Sequence, residues 1–277
     1  MVGTGPASAS CRELWARVTD AVLSVLLPAR CVVCGEFETF LCPSCALTLE
    51  PLDGDHCSRC GAPRPRIGPG PALTAVQREV VGAALARTST SCAVCVGAGF
   101  SFASARSAFL YRGAARALVS SFKHGGQRCL APTMARLAAP AFDWAVGDLG
   151  RLVVTWVPSH GSVERTRGYN QAEVFARALA EGCGGLPVAR LARKSARTAH
   201  QQGLGRDSRR RNLADAFRPV EWPQRAQDIE GVVLVDDVFT TGATTSEVAA
   251  VIHRASGLPV HVFTFARTVS PTGGTLA

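Results

Sequence analysis

Lysine occurs only twice in this chain of 277 residues, at Lys123 and Lys194, and neither follows a glycine. A Walker-type G-x-x-x-x-G-K-[ST] phosphate loop is therefore excluded. No G-x-G-x-x-G follows a strand-like run, which argues against a dinucleotide site. No run of 18 apolar residues is present, so a membrane span is not expected and the sequence predicts a soluble, cytoplasmic protein. Export is disfavoured as well. The apolar stretch 21–27 is too short for a signal peptide and carries Asp20 at its edge, and Pro28-Ala29-Arg30 before Cys31 makes a poor lipoprotein cleavage site. Residues 12–27 instead place Leu14, Trp15, Val18, Ala21, Val22, Val25 and Leu26 on one face of an amphipathic docking helix. The small and polar residues 1–10 are expected to be disordered, and the tail 271–277 to be loose.

At 47% hydrophobic and 18% charged, the chain can bury a full core, and its length allows one domain of ordinary size and one small one. The formal charge of +9 favours anionic ligands such as phosphates, pyrophosphate or nucleic acid. Since nearly all the cations are arginine, their location says more than their total.

Eight of the eleven cysteines form C-x-x-C pairs: Cys31/Cys34, Cys42/Cys45, Cys57/Cys60 and Cys92/Cys95. Each such turn points two thiolates at one metal, and two turns complete a tetrahedral structural zinc site, so four pairs make two zincs. Disulfides suit a cytoplasmic location poorly, and redox dithiols do not normally come four in a row. The first two pairs have the spacing of a zinc ribbon, and Gly35 and Gly61 supply the permissive position after their turns. Residues 61–91 separate Cys60 from Cys92, begin rich in Pro, Gly and Arg, and read as an insertion. Sequential and interleaved pairing of the turns both stay open, as does a second zinc. Cys11, Cys129 and Cys183 have no near partners and are expected to be small buried residues.

From Phe100 the composition shifts to that of a globular α/β domain. Phe109-Leu110-Tyr111 is a short strand candidate, and Arg112–Lys123 has helical spacing at Ala115, Leu118, Val119 and Phe122, ending at Gly125-Gly126. Lys123 there either favours the helix dipole or touches a ligand. Leu152–Val157 reads as a buried strand, followed by a loop with Arg165 and Arg167 and a helix from about Asn170 to Gly182. Nine basic residues against two acids lie between Arg190 and Arg218, a stretch predicted to be a mobile loop and then a short helix. It would act as a lid over pyrophosphate, a nucleic-acid contact or merely a solvated face. Val260–Ala266 is the last strand.

The organising stretch is Val232-Val233-Leu234-Val235-Asp236-Asp237-Val238-Phe239-Thr240-Thr241-Gly242-Ala243-Thr244-Thr245. Four apolar residues without alternation predict a strand covered on both faces, as in a parallel sheet. Two carboxylates end it, then come hydroxyls and a glycine, then a helix. Free N–H groups and the positive helix end suit a phosphate, and the acid pair can accept hydrogen bonds from vicinal hydroxyls. Together they suggest a ribose 5-phosphate site.

This stretch resembles the phosphoribosyl pyrophosphate (PRPP) signature of type I phosphoribosyltransferases. By that resemblance Asp236 and Asp237 hold the ribose hydroxyls, and Thr240, Thr241, Gly242, Ala243 and Thr244 hold the 5-phosphate. Over 30–267 the chain also resembles the ComF family of competence-associated proteins. The resemblance rests on the C-x-x-C pairs, Phe122-Lys123-His124-Gly125, Val157-Pro158 and Arg167-Gly168-Tyr169-Asn170-Gln171. It continues through Thr198-Ala199-His200-Gln201, Arg209-Arg210-Arg211-Asn212-Leu213, Ala216-Phe217 and the Asp236-Asp237 loop. It implies a double zinc ribbon at 30–98, a phosphoribosyltransferase domain with a parallel sheet flanked by helices at 99–270, and a role in uptake of transforming DNA. If catalytic, the protein would displace pyrophosphate from ribose C1 with Mg2+, with Arg167 and Lys194 serving the leaving group. A rival reading keeps the fold without the reaction, as a single-stranded-DNA-binding factor or as a module docking to DNA-uptake or helicase proteins.

Overall fold

The central strand is buried because its side chains have nowhere polar to face: Val232, Val233, Leu234 and Val235 are all fully buried. In the computed structural model, which describes residues 29–52, 54–64, 92–124, 127–159, 161, 164–165, 168–195, 216–220 and 228–269, this strand runs over Gly231–Phe239. In chain order the elements are α1 (Pro43–Ala46), α2 (Ala93–Ala98), β1 (Ser104–Leu110), α3 (Gly113–His124), α4 (Leu130–Val146), β2 (Leu152–Trp156), α5 (Gln171–Gly182), β3 (Ala192–Lys194), β4 (Phe217–Pro219), β5 (Gly231–Phe239), α6 (Ala243–Ser256) and β6 (Val260–Arg267). Contacts divide the chain into two units, Met1–Thr48 and Leu49–Ala277.

In the larger unit, four parallel strands lie in the order β1-β6-β5-β2. Parallel neighbours need crossovers, and the helices that make them cover both faces of the sheet. On one face Phe142 of α4 packs edge-on to Phe263, and Phe175 of α5 packs edge-on to Phe265, with centroids 5.0 and 5.9 Å apart. A second cluster joins Val232, Leu234 and Val262 of the sheet with Val248 and Ile252 of α6, Phe217 of β4, and Cys57, Cys60 and Cys95. The second cysteine quartet is thus part of the core of the larger unit.

The smaller unit, described from residue 29, has few buried apolar residues besides its cysteines, Leu41 among them. A bridge between Arg30 and Phe37 and hydrogen bonds such as Cys31 N–H to Glu36 O at 2.7 Å shape it. The Arg30 guanidinium lies 3.9 Å over the Phe37 ring centroid.

Three readings are corrected. The basic stretch does not open as loop and then short helix: its described ends, β3 and β4, pair antiparallel, with Ala192 opposite Pro219 and Lys194 opposite Phe217. Burial of Ala192 and Phe217 drives that ribbon, a signal of two residues lost among the arginines. Cys129 is exposed, on the turn that opens α4, and Cys183 is half-buried at the end of α5, so neither is the buried residue expected. The strand expected at 109–111 runs earlier, over Ser104–Leu110. Residues 12–27, Cys11, the tail 271–277, most of the 61–91 insertion and the 196–215 part of the basic segment lie outside the described residues. Among the described residues no helix is long and apolar enough to cross a membrane.

Candidate functional site

Strands β2 and β5 are hydrogen-bonded neighbours, so their carboxyl ends open side by side. Between them lies a crevice of about 340 Å³, lined among others by Lys123, Ser159, Asn170, Asp236, Asp237 and Thr240. The carboxyl end of a parallel sheet is where open α/β folds bind ligands. Asp237 is buried and accepts an ion-paired hydrogen bond from Lys123 Nζ at 2.9 Å. The position read from sequence as a helix cap or ligand contact is therefore a counter-ion for the acid pair. Asp236 is half-buried, and its Oδ1 accepts the Asp237 backbone N–H at 2.9 Å. Burial pushes the Asp236 carboxyl up to about 7, and the charge of Asp237 adds to the rise. The Asp237 N–H and Lys123 pull the other way.

The loop after β5 turns at Gly242, whose φ of 76° lies in the left-handed region that glycine tolerates. A Cβ there would come within 2.5 Å of Phe239 Cζ and 2.8 Å of Phe100 Cε1. No side chain caps α6 at this position. Ala243 N–H reaches Thr241 Oγ1 at 3.3 Å, and Ser246 N–H reaches Gly242 O at 2.9 Å. Thr240, Thr241, Ala243 and Thr244 are exposed, on the loop and in the first turn of α6, where a helix leaves its leading amides without an intrahelical acceptor. Open amides beside the positive helix end are able to bind an anion.

The opposite side of the crevice departs from its reading. Asn170 caps α5: its Oδ1 accepts from Ala172 N at 2.9 Å and Glu173 N at 3.3 Å, and its Nδ2 donates to Val157 O at 3.1 Å. Tyr169 Oη donates to Phe122 O at 2.6 Å, tying this turn to α3. Much of the Gly168–Gln171 motif thus shapes the wall. Asn before a helical run was the signal for the cap, and Tyr169 had none. Lys194 lies on β3, its ammonium 5.7 Å from the Phe217 ring centroid, and does not line the crevice. Arg167 lies outside the described residues.

The cysteines form two quartets paired in sequence order, Cys31, Cys34, Cys42 and Cys45, and Cys57, Cys60, Cys92 and Cys95, with the sulfurs of each within 4.8 Å of one another. Specific Sγ–Sγ separations are 3.7 Å for Cys34–Cys42, 3.7 Å for Cys57–Cys95 and 3.4 Å for Cys60–Cys92. A tetrahedron with Zn–S bonds of about 2.3 Å requires about 3.8 Å, whereas a disulfide requires about 2.0 Å. The quartets therefore fit structural zinc.

Both are built the same way. Cys31 N–H bonds Glu36 O and Gly35 N–H bonds Cys31 O, while Cys57 N–H bonds Ala62 O and Gly61 N–H bonds Cys57 O. In each quartet the second pair starts at a helix N-cap, Cys42 before α1 and Cys92 before α2. This internal repeat decides the pairing that spacing left open: the second quartet closes across the insertion.

The fold and sites define a protein with two four-cysteine zinc sites and an α/β domain built on a parallel sheet. A family model described as the double zinc ribbon domain matches residues 22–77, ending before Cys92. Competence protein F of Haemophilus influenzae is 30% identical over 161 residues, 54% of this chain and 66% of that protein. DNA utilization protein YhgH of Salmonella typhi is 35% identical over 103 residues, 37% of this chain and 44% of that protein. The chain thus spans just under two thirds of the first relative and less than half of the second. A phosphoribosylpyrophosphate synthetase from Mycobacterium smegmatis overlaps half of this chain and 35% of its own at 17% identity. Its TM-score is 0.31, too low to bear on the fold. Over the spans they match, these relatives make the chain similar to competence-associated proteins.

Proposed function

We propose that the chain binds PRPP or ribose 5-phosphate in the crevice and serves uptake of DNA in the cytoplasm. The observation that carries this is the acid pair near the carboxyl end of β5, in a crevice also lined by Thr240, which begins the loop leading into α6. Asp236 and Asp237 accept hydrogen bonds from the vicinal ribose hydroxyls, and Thr240 to Thr244 receive the 5-phosphate. Competence protein F and DNA utilization protein YhgH, the named relatives, support the DNA-uptake role. Mg2+ suits the hard oxygens of this ligand and of the two carboxylates, and when bound with PRPP it would neutralise pyrophosphate charge. Lys123, ion-paired with Asp237, orients that carboxylate.

A second reading, a phosphoribosyl fold kept without transfer, draws support from the cations. Among the described residues, Lys123 at the crevice is already paired with Asp237, and Lys194 sits on β3. Arg167 remains the proposed leaving-group contact. Calorimetric titration with PRPP and Mg2+, then with single-stranded DNA in the same buffer, tests both. Asp236→Asn with Asp237→Asn should abolish PRPP binding and leave zinc content unchanged, and undiminished affinity in that variant ends the assignment. Pyrophosphate release with a range of acceptors separates transfer from binding alone.

A further inference from the structure

Two chains of contacts join the second cysteine quartet to the loop at Gly242. The first passes through Arg267 at the end of β6, a guanidinium only 1% exposed. Its Nη1 donates to Cys60 O at 2.6 Å, its Cζ lies 4.7 Å from the Phe239 ring centroid, and its Nε has no hydrogen-bond partner among the described residues. A buried cation needs a counter-charge. A zinc bound by four thiolates keeps two net negative charges, enough to hold it. Phe239 then closes on Gly242, where no Cβ would fit.

The second chain leaves the Cys92/Cys95 turn through α2 and Gly99. The Phe100 carbonyl accepts from Arg59, which sits inside the Cys57/Cys60 turn, and the Phe100 ring stacks on Phe102 with centroids 4.6 Å apart. Phe100 also abuts Gly242, and Ser101 N–H donates to Ser246 Oγ at 2.9 Å, in the first turn of α6. Both chains end at the loop and first turn of α6 that follow β5.

We propose that the second quartet, when it holds its metal, keeps the phosphate loop in its receiving shape, with Arg267 as the positioning residue that carries the restraint through Phe239, and Phe100 and Ser101 as a second arm. The quartet is then part of how the crevice is preorganised, beyond holding its own ribbon together. Only the ligand arm of the test rests on the proposed function.

The test is amide hydrogen exchange on the zinc-loaded, full-length protein, read at Ser246 to Ala249, with α5 as internal reference. Arg267→Met should speed exchange at these amides about tenfold or more, with α5 and zinc content unchanged. Arg267→Lys, which restores a cation and a donor, should recover part of the protection. Cys92→Ser with Cys95→Ser should give the same local loss. Phe100→Leu reads the other arm should Arg267→Met not fold. Unchanged exchange in a folded Arg267→Met or Phe100→Leu protein overturns the proposal. Parallel titration with ribose 5-phosphate separates the two ideas. A wild-type protein that ignores the sugar phosphate, yet whose loop loosens in the variants, keeps the coupling and rejects the ligand. Binding that Arg267→Met leaves intact, with exchange unchanged, does the reverse.

Discussion

At Gly242, conformation and space both demand glycine. The residue has a φ of 76°, and an added Cβ would lie 2.5 Å from Phe239 Cζ. Gly242→Ala should therefore destabilise the protein by about 1–3 kcal/mol through strain and overpacking, read as a lower urea midpoint. A neutral result would mean that the aromatic wall yields. Asp236 is the titrating residue of the crevice, its carboxyl raised from 3.8 to about 7. Because the folded state holds this proton more tightly than the unfolded state, the contribution to stability is full below about 4 and is lost as pH rises through about 7. The urea midpoint should fall over that window, and Asp236→Asn should remove this part of the slope. Binding of PRPP, which needs the ionised acceptor, should strengthen over the same rise. A pH-independent affinity would show that Asp236 is not the acceptor.

Among the elements, the two cysteine quartets differ in how much protein supports them. The first lies in a short unit with few buried apolar side chains, so its metal supplies much of the reason to fold. The second is embedded in an apolar core shared with the sheet. Native mass spectrometry should find two zinc ions per chain, and one after Cys92→Ser with Cys95→Ser. A strong chelator should abolish exchange protection in residues 30–48 before it affects β5 and β6. A single zinc in the wild-type protein would reject the second site. The long elements were legible: β2, β5, β6 and α5 fall within two residues of their expected positions, because apolar runs and an Asn cap mark them. The sequence carries no clear helix signal between 127 and 150, where α4 spans Leu130–Val146 with Pro140 inside it. A proline within a helical run hides the element from propensity, whereas packing of Phe142 and Met134 against neighbours stabilises it.

For the whole molecule, the charge of +9 is the property most open to test against DNA. Binding of single-stranded DNA should weaken with salt at a slope of about −0.7 per phosphate contact, and Arg209, Arg210 and Arg211 to alanine should flatten it. An unchanged slope would exclude that segment, which lies outside the described residues. The sequence by itself determined the chemistry: four C-x-x-C turns, an apolar run leading into Asp236-Asp237, and a glycine opening a helix. These are local patterns, and local sterics and donor types suffice to read them. Only the tertiary structure decided the pairing of Lys123 with Asp237, the closure of the second quartet across 61–91, and the burial of Arg267 between that quartet and Phe239. Each of these joins residues distant in sequence, and the free energy that selects them comes from burial and charge neutralisation in a shared core.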